Sequence, residues 1–257
     1  MPDWNPAQYE RFKAERALPF HDLLALVEPG QDMRAVDLGC GTGEPTAVLH
    51  KRLGCQETLG VDRSAAMLAR SAAFAAPGLS FVQADMVDWH PPAPLDLVFS
   101  NAALHWLPEH PLLLAKLHGW LAREGQLAVQ VPANHDHASH TVAWELAEQP
   151  PFAAALGGWR GGSPVLKPEA YSQLLFDLGF ERQHLRLQVY SHVLPSSSDV
   201  VEWVKGSLLT DIEARLSPEM FAKYLARYRQ VLLERLGERR PYQFAFKRIL
   251  MWGRLPT

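Results

Sequence analysis

The sequence predicts an α/β fold, a doubly wound and mostly parallel sheet of seven strands with a helical insertion in its second half. Three observations carry this. Short apolar runs alternate with helix-periodic stretches through the first half of the chain. The run Val36-Asp37-Leu38 opens directly onto three alternating glycines, Gly39, Gly41 and Gly43. Nineteen residues past Gly43 a second run, Leu59-Gly60-Val61, ends in Asp62. A strand, a tight loop, a helix and a second strand, with a carboxylate at each strand tip, form a mononucleoside-binding βαβ unit.

The elements follow in order. Residues 7–27 carry helical periodicity through Tyr9, Phe12, Leu18, Leu23, Leu24 and Leu26, and Pro29-Gly30 stops that helix. Strand 33–38, helix 44–53, strand 57–61, helix 64–75 and strand 79–83 come next. Pro91-Pro92-Ala93-Pro94 marks a loop before the continuously apolar strand 95–99, which reads as buried on both faces apart from Asp96. A helix at 111–121 ends near Arg123-Glu124-Gly125, and strand 126–131 stops at Pro132. Residues 138–178 read as helix with Pro and Gly interruptions, 180–193 as a strand, 198–213 and 217–236 as helices, and 242–253 as the last strand. The last two strands are expected at the sheet edge, with the intervening helices as a lid over the strand tips. The expected division is a cofactor-binding core with an N-terminal helix at 1–135, a helical lid and substrate region at 136–240, and a final sheet strand at 241–257.

Composition narrows the classes. A chain of 257 residues that is 47% hydrophobic can bury a substantial core. A net charge of −3 provides no basic field for nucleic acid or membrane, so neither is expected as a partner. The only cysteines are Cys40 and Cys55, with no metal-ligand spacing, which suits a reducing cytoplasm. No signal peptide or run of transmembrane length is visible.

The glycine spacing separates two cofactors. A dinucleotide fingerprint places its third glycine where this chain has Glu44, and an acid beside a pyrophosphate is repulsive. The pattern suits a nucleoside without phosphates, of which S-adenosylmethionine is the common one. The alternative is an ordinary glycine turn. Asp62 can accept from both ribose hydroxyls, and Arg63 and Met67 follow it on the cofactor side. Asp37 either holds the glycine loop, or meets the ligand's ammonium through water, or serves the helix N-terminus electrostatically. Asp85 can accept from the adenine amine, and Met86 offers its backbone amide and an apolar face to the ring. Asn101, after the fourth strand, can face the methionine end, while His105 and Trp106 border the substrate and are the catalytic candidates. Asn134-His135-Asp136-His137-Ala138-Ser139-His140 lacks metal-site spacing, and no metal is expected. In the second half, Trp144 and Trp203 are candidates for an acceptor pocket. Arg160, Lys167, Lys205, Arg229 and Arg248 are the cations available to an anionic acceptor.

Taken together, these residues resemble the class I S-adenosylmethionine-dependent methyltransferases. More closely, the chain is similar to the trans-aconitate 2-methyltransferase family. The likeness rests on Asp3-Trp4-Asn5-Pro6, Tyr9, Phe12, Glu15-Arg16 and Pro19, and on Asp37 through Gly43. It continues in Asn101-Ala102, His105-Trp106-Leu107-Pro108, Val131-Pro132, Asn134 and Glu202-Trp203-Val204. The resemblance implies a Rossmann-like methyltransferase sheet, with S-adenosyl-L-methionine consumed and S-adenosyl-L-homocysteine produced. It implies a small organic acid as acceptor, methylated on a carboxylate oxygen. Tyr9, Phe12, Trp144, Trp203 and Arg248 then become the substrate-binding candidates. Base-amine methyltransferases usually carry Asn/Asp-Pro-Pro-aromatic after the fourth strand, and this chain does not. It also departs from the family pattern. Thr42-Gly43-Glu44-Pro45-Thr46 stands for Pro-Gly-Asn-Ser-Thr, and Gly206-Ser207-Leu208-Leu209-Thr210 stands for Thr-Gly-Leu-Arg-Pro, so an arginine is missing. The expected enzyme is cytoplasmic, a monomer or weak homodimer, acting on a small anion. A phenol, amine or carbon-acid acceptor, with His105 as base, is the alternative within the class. A silent S-adenosylmethionine-binding protein and a nicotinamide dehydrogenase are the alternatives outside it.

Overall fold

The computed structural model describes residues 13–257. Tyr9 and Phe12, and with them Asp3-Trp4-Asn5-Pro6, lie outside the described residues.

One seven-stranded sheet has the strands β1 (Arg34–Leu38), β2 (Glu57–Asp62), β3 (Leu79–Gln83), β4 (Leu95–Asn101), β5 (Leu121–Pro132), β6 (Arg182–Leu194) and β7 (Tyr242–Arg254). Their spatial order is β3-β2-β1-β4-β5-β7-β6. Strands β1 to β5 pair in parallel, and β7 runs antiparallel to β5. The chain winds outward from β1 to β3, returns to β4 on the other side of β1, and winds outward again. The switch point therefore lies between β1 and β4, where ligands bind in open α/β sheets.

The chain divides into two compact units. One comprises Ala17–Pro132, Pro164–Gln188 and Arg248–Thr257. Its helices are α1 (Lys13–Leu24) from Ala17 onward, α2 (Glu44–Leu53), α3 (Ala65–Ser71) and α4 (His110–His118). A core of Phe20, Leu23, Leu24, Leu49, Leu53, Leu97, Phe99, Leu250 and Trp252 joins α1 and α2 to the sheet. Helix α2 shows how sequence sets such an element. Gly43 enters it in a left-handed conformation, Pro45 sits in its first turn, and Gly54 ends it at φ 62°. Thr46, Leu49 and Leu53 fall on its buried face, as a 3.6-residue period requires.

The other unit holds Ala133–Ser163 and Val189–Lys247. It contains α5 (Ala138–Ala147), α6 (Phe152–Ala155), α8 (Asp199–Lys205), α9 (Leu208–Arg215) and α10 (Pro218–Leu236), while α7 (Pro168–Asp177) belongs to the first unit. Ser217 caps α10 by accepting the Met220 N–H at 3.3 Å. Phe221, Tyr224, Tyr228 and Leu232 form its buried stripe. The buried Tyr224 and Tyr228 hydroxyls donate to the Ala143 and Ser139 carbonyls, so neither polar atom is stranded.

Several boundaries differ from the sequence reading, two of them most. Strand β5 begins at Leu121 rather than 126, because Leu121 pairs with Leu95 across a register shift. Strand pairing there overrides a weak helical pattern at Ala122-Arg123. The expected helix 198–213 is two helices, α8 and α9, broken at Gly206-Ser207. No helix among the described residues is long and apolar enough to cross a membrane.

Candidate functional site

The loop after β1 is shaped by its glycines. Gly39 and Gly43 adopt φ of 77° and 78°, a region that side chains disfavour. A Cβ at Gly39 would lie 2.2 Å from Ala103 Cβ, and one at Gly43 would lie 2.7 Å from Ser71 Cβ. Gly41 differs: at φ 56° a Cβ there would meet nothing within 4 Å. Gly39 and Gly43 therefore serve close packing, whereas Gly41 presents a bare backbone to open space.

Asp62 ties this loop to β2. Its Oδ2 accepts the Gly41 N–H at 2.9 Å and its Oδ1 accepts the Ser64 N–H at 2.8 Å. Each carboxylate oxygen has room for a second donor, so the group is fixed in orientation yet can still accept from two neighbouring hydroxyls. Arg63 is exposed, with its carbonyl accepting from Gln83 Nε2 at 3.1 Å. Met67 is half-buried in the first turn of α3, where its N–H meets the Ser64 hydroxyl.

Asp37 is only 3% exposed. Its Oδ2 accepts the Thr46 hydroxyl at 2.7 Å. Burial pushes its pKa up to about 7; the Thr46 hydrogen bond opposes this, and the nearby Asp62 charge adds to it. A cation arriving beside this carboxyl would stabilise its ionised form.

After β3, Asp85 Oδ1 accepts the Val87 N–H at 2.9 Å, and the Asp85 carbonyl accepts from Asp88 and Trp89 at 3.0 and 2.9 Å. This tight turn brings the Met86 side chain up to Gly39, with Cε 3.4 Å from the position of a Cβ there. On the other side of β1, the Ser100 hydroxyl donates to the Leu38 carbonyl at 2.8 Å. Asn101 follows, and its Oδ1 is buried with no hydrogen-bond partner. Ala102 then turns the chain at φ 55°. His105 and Trp106 lie in a single 3-10 turn, both half-buried, with ring centroids 4.7 Å apart.

The sheet edge continues past β4. Gln130 is fully buried, neighbours Asn101 in register, and has an Nε2 with no hydrogen-bond partner. Its Oε1 accepts from Arg248 Nη1 at 3.3 Å, and Arg248 is 8% exposed. Along one edge of one sheet the order is thus Asp62 on β2, Asp37 on β1, Asn101 on β4, Gln130 on β5 and Arg248 on β7. The acids gather at β1 and β2, and the cation stands at β7.

The structure therefore brings Asp37, Gly39, Gly41, Gly43, Asp62, Arg63, Met67, Asp85, Met86, Asn101, His105, Trp106 and Arg248 into one unit. Trp144 and Trp203 belong to the other. Trp144 is half-buried on α5, its ring 5.8 Å from that of His140 and packed on the Gly161 backbone. Trp203 is buried among the rings of His192, Phe244 and Phe246. In the histidine loop, His137 Nδ1 accepts the Ser139 N–H at 3.1 Å and caps α5, and burial holds His140 down to about 3. Sequence reading passed over Thr46, Ser100 and Gln130. Gln130 alone left a signal, a polar residue inside the apolar run Leu127–Val131.

The residues suit the cofactor that the glycine spacing implies. Gly41 leaves a cradle that a side chain would fill, Asp62 retains acceptor capacity, and Asn101 Oδ1 lacks a donor. Comparison with known proteins agrees. Residues 35–125 match the family model described as a methyltransferase domain. A trans-aconitate 2-methyltransferase of Deinococcus radiodurans is 44% identical, with 98% of each chain covered. Among solved structures, the YcgJ protein of a Bacillus aligns with a TM-score of 0.59 at 15% identity, covering 93% of this chain and 98% of its own. A phosphoethanolamine N-methyltransferase of Haemonchus contortus, solved with S-adenosylhomocysteine, aligns at 0.57 and 14% identity, covering 98% of this chain and 57% of its own. The chain belongs to the trans-aconitate 2-methyltransferase family and is an S-adenosylmethionine-dependent methyltransferase.

Proposed function

We propose that the enzyme methylates a carboxylate oxygen of a small organic acid, trans-aconitate or an acid like it, to give a methyl ester. The observation that carries this reading is the separation of charge along the sheet edge, acids at β1 and β2 and Arg248 at β7. A cationic methyl donor and an anionic acceptor would favour opposite ends of such an edge. The name shared by the relatives supports the same acceptor class.

S-adenosylmethionine, when bound, would supply a methyl group on a positively charged sulfur, which would keep the C–S electron pair as the acceptor oxygen takes the methyl. The chain's task is placement. Asp62 would hold the ribose hydroxyls, Asp85 and Met86 the adenine, and Asp37 and Asn101 the methionine end. The glycines Gly39, Gly41 and Gly43 would let the donor lie against the loop, with Arg63 and Met67 beside it. A carboxylic acid with a pKa of ~4 is already ionised at pH 7, so no general base is needed. Orientation of donor and acceptor can then supply roughly 7–11 kcal/mol. His105 and Trp106 would border the reacting oxygen and exclude water. Arg248 would orient a carboxylate remote from the reaction, leaving the nucleophilic one less neutralised. Trp203 is engaged in its own core.

A net charge of −3 supplies no basic field for nucleic acid or membrane. The two buried free thiols suit a reducing cytoplasm, where we place the protein as a monomer or weak homodimer. The test is methyl-labelled S-adenosylmethionine incubated with the enzyme and trans-aconitate, then with a panel of di- and tricarboxylates. A labelled methyl ester is expected. Tight cofactor binding without ester formation from any acid would overturn the reading.

A further inference from the structure

We infer that His110 and Tyr171 are positioning residues for the turn that carries His105 and Trp106. This rests on the reading of that turn as bordering the reacting atoms. The turn is poorly supported by itself. Its own hydrogen bonds are those of a single 3-10 turn, Trp106 N–H to Ala103 at 3.2 Å and Leu107 N–H to Leu104 at 2.9 Å. It leaves β4 through Ala102 at φ 55°, a conformation that persists in a non-glycine residue only when the surroundings impose it.

The surroundings are a directed chain of hydrogen bonds. The Leu166 N–H donates to the Tyr171 hydroxyl oxygen at 3.2 Å. The hydroxyl oxygen also makes a close contact with His110 Nδ1, whose direction the ring's tautomer sets. A carbonyl cannot donate, so Nε2 carries the ring hydrogen and donates it to the Leu104 carbonyl at 3.1 Å, which leaves Nδ1 of the neutral ring to accept from the Tyr171 hydroxyl. The Leu104 carbonyl end, with a neutral ring, therefore fixes the direction and selects one tautomer. Both side chains are buried. Burial disfavours the imidazolium, although the Leu104 and Leu107 carbonyls partly offset this. The relay joins the catalytic turn, the first residue of α4, and α7 with the residue two before it. In-line methyl transfer tolerates little displacement, since an error of about 1 Å can lower a rate by roughly 10²-fold. His110 and Tyr171 touch neither donor nor acceptor in this account; they hold the Leu104 carbonyl and, through it, the two rings that follow.

The experiment combines kinetics with one spectroscopic readout. Long-range proton–nitrogen correlation on the intact enzyme should show His110 as the neutral Nε2–H tautomer. An Nδ1–H ring or an imidazolium at pH 7 would overturn the relay, and this readout needs no acceptor. With trans-aconitate as acceptor, Tyr171→Phe should lower kcat about tenfold, with the S-adenosylhomocysteine Kd held within about twofold. His110→Gln, whose amide can still donate to Leu104, should regain most of the rate lost in His110→Ala. If His110→Ala does not fold, Tyr171→Phe, which removes one oxygen atom, carries the test. Parallel loss of kcat and cofactor affinity, tracking Tm, would reduce both residues to packing and overturn the proposal. Full kcat in His105→Ala and Trp106→Ala would sink the reading of the turn and the proposal together. Reduced kcat in those two variants beside full kcat in Tyr171→Phe would sink the proposal alone.

Discussion

The Thr46 hydroxyl donates to Asp37 Oδ2 at 2.7 Å, and this bond spans the glycine loop from the end of β1 to the first turn of α2. It holds a carboxyl whose pKa burial has raised to about 7. A carboxyl whose folded pKa exceeds its unfolded value contributes stability below the unfolded value and loses it as pH rises through the folded one. Ligand-free protein should therefore lose stability between about pH 4 and pH 7, by a few kcal/mol at most, and Asp37→Asn should flatten that slope. Denaturant midpoints across this range measure it. If Asp37 meets the ammonium of the donor, binding near pH 6 should release a proton, and calorimetry in buffers of different ionisation enthalpy reads that directly.

Asp62→Asn should leave the fold in place and raise the cofactor KM by roughly tenfold to a hundredfold, since hydrogen bonds to a charged partner are worth about 1.5–3 kcal/mol. The kcat at saturating cofactor should move little. Unchanged cofactor kinetics would remove Asp62 from the binding account.

Gly39→Ala and Gly41→Ala separate folding from binding. The first puts a methyl 2.2 Å from Ala103 and should destabilise the protein severely. The second meets no protein atom within 4 Å, so its effect on Tm should be confined to the roughly 1–2 kcal/mol disfavouring a left-handed alanine. Its cofactor affinity should nevertheless fall at least about tenfold, because the new methyl enters the cradle. Normal binding by Gly41→Ala would place the donor elsewhere.

Ala102→Gly should raise stability by up to about 1 kcal/mol, since it relieves a left-handed conformation at φ 55°. A higher Tm with a lower kcat would show that the alanine restrains the turn that follows it.

Arg248→Gln should raise the acceptor KM about tenfold or more while the cofactor Kd stays constant. It keeps a hydrogen-bond donor near Gln130 and removes the charge. Equal changes in both constants would tell against an acceptor role.

Much of the fold was legible before any coordinate. Helix α2 was bounded to the residue, because Gly43, Pro45 and Gly54 punctuate it through local dihedral preferences. Strands β1 to β4 were found because buried parallel strands read as apolar runs. The start of β5 and the break between α8 and α9 were missed, since each depends on pairing or packing with distant residues. The same division runs through the site. The acid and glycine pattern at 37–43 and Asp62 marks the proposed donor loop, because a ribose there would need an acid at the next strand tip. Gln130 shows only as a polar residue inside an apolar run, and nothing local to His110 announces a role.

The order of residues alone determined the βαβ unit, its preference for an unphosphorylated nucleoside and the family, for these depend on spacing and on dihedrals that only glycine tolerates. Tertiary structure decided that Asp37 is a buried acid bound to Thr46, that Gly41 faces space while Gly39 faces Ala103, and that Gln130 and Arg248 share an edge with Asp62. Burial and hydrogen-bond direction are properties of neighbours brought together by the fold, and those neighbours lie from nine to more than a hundred residues apart in the chain.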